Sequence, residues 1–507
     1  MNEEINDVLI IGGGDVGLIT ALCLRRVRPD TAIRVVDDLD SPSPRVGKST
    51  FRPIMNVLHD FLQIEESEFI REVRPVWKAS VYFRDWAERP PFHFPFDTPK
   101  GYPKNDVSNR YRQLEALQAR PEYVSTPGQE IAEQRRTPWD YRPEKGELVR
   151  YRDVAYHLPT ERFEDFLRVS CENEGVHLIN DRVTHVAVED TRVTSVECSK
   201  SSHRADLYID ASGFNRVIRS ECDHGDFNAF EFPLDRAVRY SVERPLEQII
   251  PATVVESDPY GWFWTIDTFD ERDRGYVYSS EHIEDSAAED RLRKRGGLEG
   301  MGSDADLYRF ESGFYDTPWM KNHLTIGNAC GFIEPLQSTA LTTNAVFAMF
   351  LARLLNTVGF RMNQHVRETY NRYVRALWNN VYSFISIHYK FNQVDAPMWE
   401  EMRSLTLPPL ARRFYRWYER FGLAYYESPN FGFMIDDNGI QQQASPFDKE
   451  SFFHMFLHLG VKSNGFDGCS THSAEVEEHL VGKAEQITER IAGFHRYDEY
   501  YYGELMI

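Results

Sequence analysis

Three groups of residues in this chain have types and spacing that chemistry can use. The first is glycine: Gly12, Gly14 and Gly17 in Gly-Gly-Gly-Asp-Val-Gly, where backbone without side chains lets a phosphate approach closely. The second is Asp37, twenty positions after Gly17, an acceptor suited to the paired hydroxyls of a ribose. The third is Lys78, set among Val76, Trp77, Val81 and Phe83. An amine partly stripped of water there has a lowered pKa and serves as a nucleophile or a strong donor. From spacing alone, Lys78 reads more readily as a surface lysine on an alternating strand whose neighbours face inward. Two other patterns fail. Val46-Gly47-Lys48-Ser49-Thr50 imitates the end of a triphosphate-binding loop, but the required first glycine falls on Pro42. The six cysteines, at 23, 171, 198, 222, 330 and 469, form no CxxC and no close Cys/His cluster. Neither a zinc site nor a disulfide framework is expected, no metal is, and the pattern fits a reducing cytoplasm.

The glycines function only between a strand and a helix, and the sequence supplies both. Ile5–Ile11 is a short apolar run with the β-branched character of a buried strand. Leu18–Arg28 reads as a helix ended by Pro29-Asp30, and Ala32–Val36 as a second strand that delivers Asp37. This unit binds a dinucleotide: Gly12 permits the tight turn, Gly14 the pyrophosphate and Gly17 close helix–strand packing. Val16 lines the turn, and the helix N-terminus adds N–H groups and a positive dipole end. There is one such unit, because Gly296-Gly297-Leu298-Glu299-Gly300 lies in a charged stretch with no strand before it and reads as a loop. Ala205–Gly213 (ADLYIDASG), a strand ending in Asp210 and a small-residue turn, favours FAD over NAD. One site filled by FAD leaves none for NAD(P)H, so electrons arrive from outside, as free reduced flavin or from a separate reductase.

The segments that follow resemble, in order, the flavin-dependent halogenases of the tryptophan-halogenase type. Arg45–Thr50 looks like the family's VGEST segment, placing Val46, Gly47, Lys48 and Ser49 at the flavin. Pro75–Phe83 resembles the stretch that carries the family's catalytic lysine, and Lys78 falls on it. Ala155-Tyr156-His157-Leu158 resembles the YHF segment, and Gly261–Ile266 matches WxWxI. Gly327–Thr339 (GNACGFIEPLQST) resembles the flavin segment GNAxGFxEPLEST, which puts Gly327, Glu334, Pro335 and Leu336 at the cofactor. His388-Tyr389, Asp395 and Trp399 follow the HY…D…W order. The series covers about residues 5–400. It departs from the pattern at Lys48 (usually Glu), Asp267 (usually Pro), Gln337 (usually Glu) and Ala340 (usually Gly).

The resemblance implies an enzyme that makes hypohalous acid from FADH2, O2 and chloride, bromide or iodide, and spends it on an electron-rich aromatic ring elsewhere in the protein. Lys78 would polarise that acid or become a haloamine. Gln337 would stand beside it, able to accept a hydrogen bond but not the proton the ring loses. The halide would rest on backbone N–H groups of Thr339 and Ala340, where a tight turn forms an anion nest. Trp262 and Trp264 share one side of a strand and read as a wall between flavin and substrate, as core packing, or as both. Phe92, His93, Phe94 and Phe96, among Pro90, Pro91 and Pro95, read as an aromatic loop. It either lines the substrate pocket or packs on the surface. His157 and His388 read as structural hydrogen-bonding residues.

The implied fold class is α/β: an FAD-binding Rossmann-like module of the glutathione-reductase/hydroxylase type, a β-sheet substrate layer and a mostly helical C-terminal module. The first module is expected over 1–360, discontinuous, with a polar excursion or lid near 100–150, and the helical module over 361–507. Phe414, Trp417 and Tyr418 stand at helical spacing there, and the tyrosines of 497–502 order the tail or serve a homo-oligomer contact. The chain has 507 residues and a net charge of −21, which disfavours nucleic acid. No apolar run is read as a bilayer span, and a cytoplasmic location is expected. A flavin monooxygenase or reductase, and a flavin-binding redox protein without turnover, are the alternative readings.

Overall fold

The computed structural model describes residues 3–40, 48–97, 120–121, 124–142, 147–222, 226–297, 305–422, 446–463 and 474–502. The chain divides into two compact units, one of residues 1–74, 158–231 and 310–378, the other of 75–157, 232–309 and 379–507. The sequence boundary at 360 and this division run along different lines. The sheet of residues 232–309 groups with the C-terminal helices, because its strands hydrogen-bond with Ser80–Arg84 and not with the dinucleotide fold.

In the first unit, Asp7–Ile11 (DVLII) is buried on both faces, as a central parallel strand must be. It anchors a six-stranded sheet in the order His177–Asn180, Ala32–Asp37, Asp7–Ile11, Leu207–Asp210, His323–Thr325, Trp319–Met320. The first five strands are parallel and the last is antiparallel. The helix after the glycine turn spans Asp15–Val27, starting three residues before the sequence expectation. Gly17 lies inside it because a Cβ there would stand 2.0 Å from the Gly12 carbonyl oxygen; packing overrides low helix propensity. The segment Leu336–Thr357 is, among the described residues, the one helix long and apolar enough to cross a membrane. Here its helix Thr339–Thr357 packs on Asp15–Val27.

The second unit is built on a seven-stranded sheet in the order Asp306–Arg309, Arg236–Glu243, Glu271–Tyr278, Gly261–Asp267, Ala252–Asp258, Ser80–Arg84, Phe92–Pro95. Tyr240, Phe263, Tyr276 and Tyr278 pack under the helix Asp285–Gly296. Phe92–Pro95, expected as a loop, is the edge strand. Prolines mask it in the sequence, yet an edge tolerates Pro95 where a central strand would not. Of the excursion near 100–150, the helix Pro127–Glu133 and the hairpin Trp139–Arg142/Glu147–Arg150 are described. They are clasped by the C-terminal helices: Gln134 Nε2 donates to the Thr488 carbonyl (3.0 Å) and Thr137 N to that of His495 (2.8 Å).

Candidate active site

The glycine turn is shaped by contact. Gly12 has φ +102°, and a Cβ on it would lie 2.5 Å from the Ala211 carbonyl oxygen. Gly13 lies against Asp37, whose Oδ2 would be 2.7 Å from a Cβ. Gly14 caps the helix without a side-chain hydrogen bond, and nothing lies within 4 Å of its missing Cβ. The first-turn N–H groups have no intrahelical acceptor and suit an anion. Arg168 Nη2 donates to Asp37 Oδ2 (2.6 Å) and to the Gly13 carbonyl (2.8 Å). Asp210, at the end of the neighbouring strand, is engaged differently. Its carboxylate accepts from Ser212 N and Oγ, Ile218 N and Arg219 N, so it holds the loop against which Gly12 packs. An open glycine cradle, a free helix end and an acid at the second strand fit a dinucleotide.

Lys48 reaches this turn. Its ammonium pairs with Asp15, in the helix's first turn, and with Glu164 Oε1 at 2.7 Å. Burial alone would lower the Lys48 pKa, but the two carboxylates outweigh it and hold it above its ordinary value. Burial raises Asp15, against the pull of Lys48. Val46 and Gly47 lie outside the described residues. Beside the turn, Gly327 (φ +71°) sits 3.5 Å from Val16 Cγ1 by its missing Cβ, and its N–H donates to Asn344 Oδ1. Glu334 is buried and accepts from Leu336 N (3.1 Å). After Pro335 the chain takes two left-handed residues, Gln337 (φ 64°) and Ser338 (φ 59°), a conformation that costs side-chain-bearing residues about 1–3 kcal/mol each. The helix then starts at Thr339. Thr339 and Ala340 stand in its first turn, directly after the 3-10 turn Leu336–Ser338. The turn is tied to the strand carrying Lys48 by a 2.8 Å hydrogen bond between Ser338 Oγ and Ser49 Oγ, and Phe51 N donates to Thr342 Oγ1 (3.2 Å).

In the second unit, Lys78 ends the strand Val76–Lys78, fully buried, opposite Ala155. Its ammonium lies 5.4 Å from the Phe96 ring centre. Burial holds its pKa well below that of an ordinary lysine. His157 is fixed by Asp267 O at Nδ1 (3.0 Å) and Thr253 Oγ1 at Nε2 (2.9 Å). Burial above all holds its pKa well below that of an ordinary histidine. Behind Lys78, the Trp77 carbonyl accepts from Tyr497 Oη (3.0 Å), and the Trp77 ring packs on Trp139 and Tyr500. Trp262 and Trp264 have ring centres 6.1 Å apart. Their indole N–H groups donate to Tyr389 Oη and Asp273 Oδ1.

A tryptophan halogenase family model matches residues 7–475. The chain belongs to the tryptophan halogenase family. It is 26% identical to tryptophan 6-halogenase SttH of Streptomyces toxytricini, over 82% of this chain and 85% of that one. It is 26% identical to tryptophan 7-halogenase RebH of Lentzea aerocolonigenes, over 80% of each. The structure superposes on MibH, a lathipeptide tryptophan 5-halogenase, with a TM-score of 0.83 and 25% identity, over 98% of this chain and 94% of that one. It shares its fold with BrvH, a flavin-dependent halogenase from Brevundimonas sp. BAL3 (TM-score 0.82, 22% identity, 98% and 99% coverage). The α/β fold with mixed sheets and a helical C-terminal part is thus that of the flavin-dependent halogenases, and this family member is an enzyme.

Two departures of this halogenase from the family's pattern have structural answers. Asp267, in the position of the usual proline, is 1% exposed and accepts from Arg272 (2.7 and 2.8 Å) and Ile250 N (2.8 Å), with Arg244 at 3.4 Å. Lys48, in the position of the usual glutamate, is matched by Asp15 and Glu164. Gln337 belongs to the first unit and Lys78 to the second. Arg168 and Glu164 carried no motif, and Asp15 stood only at a variable position of the glycine motif. The one signal for two of them is that Glu164 and Arg168 stand four apart, on one face of the helix Thr160–Asn173.

Proposed function

We propose that this halogenase uses FADH2, O2 and a halide (chloride, bromide or iodide) to halogenate an electron-rich aromatic ring of the indole or phenol type, with help from Lys78. The observation that carries the reading is the Lys78 amine itself, fully buried beside an aromatic ring and held below the ordinary lysine range. When bound, reduced FAD with O2 and halide supplies hypohalous acid. Gly12, Gly14, Val16, Gly17 and Asp37 hold the dinucleotide, with Arg168 orienting Asp37. Ser49, Gly327, Glu334, Pro335 and Leu336 line the flavin side, and Lys48 balances Asp15 there. The N–H groups of Thr339 and Ala340 hold the halide.

Lys78 acts on the oxidised halogen in one of two ways. As ammonium it donates a hydrogen bond that polarises the O–halogen bond. As amine it takes the halogen, N–H becoming N–halogen with release of water. Its lowered pKa favours the second. The ring attacks the halogen, and the proton on the substituted carbon passes to the hydroxide freed from the O–halogen bond in the first route, or to the Lys78 nitrogen freed from the N–halogen bond in the second. The Gln337 carboxamide can accept a hydrogen bond but not that proton. Trp262 and Trp264, pinned by their indole N–H bonds, form a partition that keeps substrate and flavin apart. A separate flavin reductase supplies the reductant.

The test incubates the protein with FAD, a flavin reductase, NADH and a panel of indoles and phenols, offering each halide separately. Halogenated product with wild type, and its loss in Lys78→Ala while FADH2 oxidation continues, is the expected result. Product surviving in Lys78→Ala removes the lysine from the step. Hydroxylated product without halide dependence supports a monooxygenase instead.

A further inference from the structure

The edge strand of the second unit carries a row of aromatic rings. Phe92 and Phe94 point to one face, and Phe96 follows just past the strand's end at Pro95. Phe96 borders Lys78. At the other end, Phe94 meets His454 edge-on (5.8 Å) and Phe92 stacks on His458 (5.0 Å). Phe384 and Phe447 close on Phe94 at 5.3 and 6.4 Å. The aromatic face therefore has an amine at one end and two histidines, four residues apart on the helix Lys449–His458, at the other.

Those histidines are in an unusual condition. His454 Nε2 lies 2.8 Å from the His93 carbonyl; a carbonyl only accepts, so Nε2 carries the proton and Nδ1 is a bare acceptor. His454 is 6% exposed, and among the described residues its buried Nδ1 has no hydrogen-bond partner, nor has Nε2 of His458. The rings lie 4.4 Å apart. Burial pushes His454 down to about 4 and His458 well below its ordinary value, so both are neutral near pH 7. A buried acceptor without a donor is costly unless a ligand supplies one. The surrounding phenylalanines favour an aromatic ligand, and Phe94 to Phe96 spans roughly 7 Å, the scale of a fused bicyclic ring.

We infer that His454 Nδ1, with His458 beside it, forms a recognition subsite for the ring N–H or O–H of the aromatic substrate, placing another edge of that ring toward Lys78. This rests on the halogenase reading, and it adds that the substrate is selected by a donor on the ring itself.

The experiment titrates the protein loaded with oxidised FAD, without halide or reductant, with indole and with benzofuran, its isostere lacking the N–H. Indole should bind roughly tenfold more tightly, the worth of one buried neutral hydrogen bond. His454→Leu should erase that preference by weakening indole and leaving benzofuran unchanged. Equal affinities in wild type, or a preference that persists in His454→Leu, overturn the proposal. The wild-type comparison stands even if the variant does not fold. Because no turnover is involved, absence of halogenated product in the earlier assay would remove the halogenase reading and leave this measurement intact.

Discussion

Lys48→Met breaks a buried ion triad at the cofactor turn, and its consequence can be worked out. The side chains of Lys48, Asp15 and Glu164 are 17%, 8% and 16% exposed. With the ammonium gone, two carboxylates share a site poor in water, and Asp15 Oδ1 already lacks a partner. Removing one member of a buried pair costs about 3–5 kcal/mol, or a fall in Tm of roughly 6–20 °C for a unit of this size. Protonation limits that cost, which gives the prediction a pH signature. In the variant, Asp15, already raised by burial, loses the lysine that holds it down, so its folded pKa rises further above its unfolded value of about 4. The folded state then binds protons more tightly, so its stability is full below the unfolded pKa and falls as pH rises through the folded pKa. Thermal unfolding at pH 5 and pH 8 reads this directly: the Tm deficit of Lys48→Met should be larger at pH 8. Adding Asp15→Asn should restore part of it, because the two sites are coupled. A deficit under about 2 °C, or one equal at both pH values, would refute a triad that matters to the fold.

Three further outcomes are expected. Asp37→Ala removes the acceptor proposed for the ribose hydroxyls; FAD Kd, from flavin fluorescence, should rise about tenfold, and an unchanged Kd would place the ribose elsewhere. Ser49→Ala deletes the hydroxyl bonded to Ser338, loosening the left-handed turn. Halide KM should rise roughly three- to tenfold with FAD Kd little changed, and an unaltered KM would show the turn to be held by other contacts. Gly275→Ala puts a Cβ 2.0 Å from the Trp264 ring, and overpacking of this kind costs about 1–3 kcal/mol. A lowered Tm and an altered near-UV tryptophan signal should follow, and a wild-type Tm would mean the indole can move aside.

What the sequence could convey followed from how far apart the interacting residues are. Gly12, Gly14 and Gly17 were legible because each answers a constraint within a few positions: a positive φ, an open helix end, a close approach to Gly12 O. The strands around them were legible as unbroken apolar runs. Lys78 was singled out by the resemblance of Pro75–Phe83 to the family's lysine segment, because its neighbours alone also suit a surface lysine, and its burial comes from the packing of the whole sheet. The triad was not legible, since Asp15, Lys48 and Glu164 come from three separate segments and none of them names its partners. The same holds for Arg168 on Asp37 and for His454, whose tautomer is set by a carbonyl 361 residues away. Phe92–Pro95 was misread for another reason: proline content signals a loop locally, while edge position is a property of the whole sheet.

The net charge of −21 sharpens one question that the site answers locally. FAD and halide are both anions, so an acidic protein must cancel its own carboxylates wherever these ligands are to rest. Asp15 is paired with Lys48, and Asp37 with Arg168. Asp210 is saturated by three backbone N–H groups and a hydroxyl. At the turn proposed for halide, position 337 holds a neutral amide, immediately before a helix N-terminus whose dipole favours negative charge. Exchanging an acid for Lys48 fits the same logic, since an acid at 48 beside Asp15 and Glu164 would put three carboxylates next to a pyrophosphate. At Asp15, Asp37 and Asp210 specific partners thus balance the acids around the proposed anion sites. Gln337→Glu tests the last of them: a carboxylate there should raise halide KM, and a lowered KM would show that the field at that turn is set elsewhere.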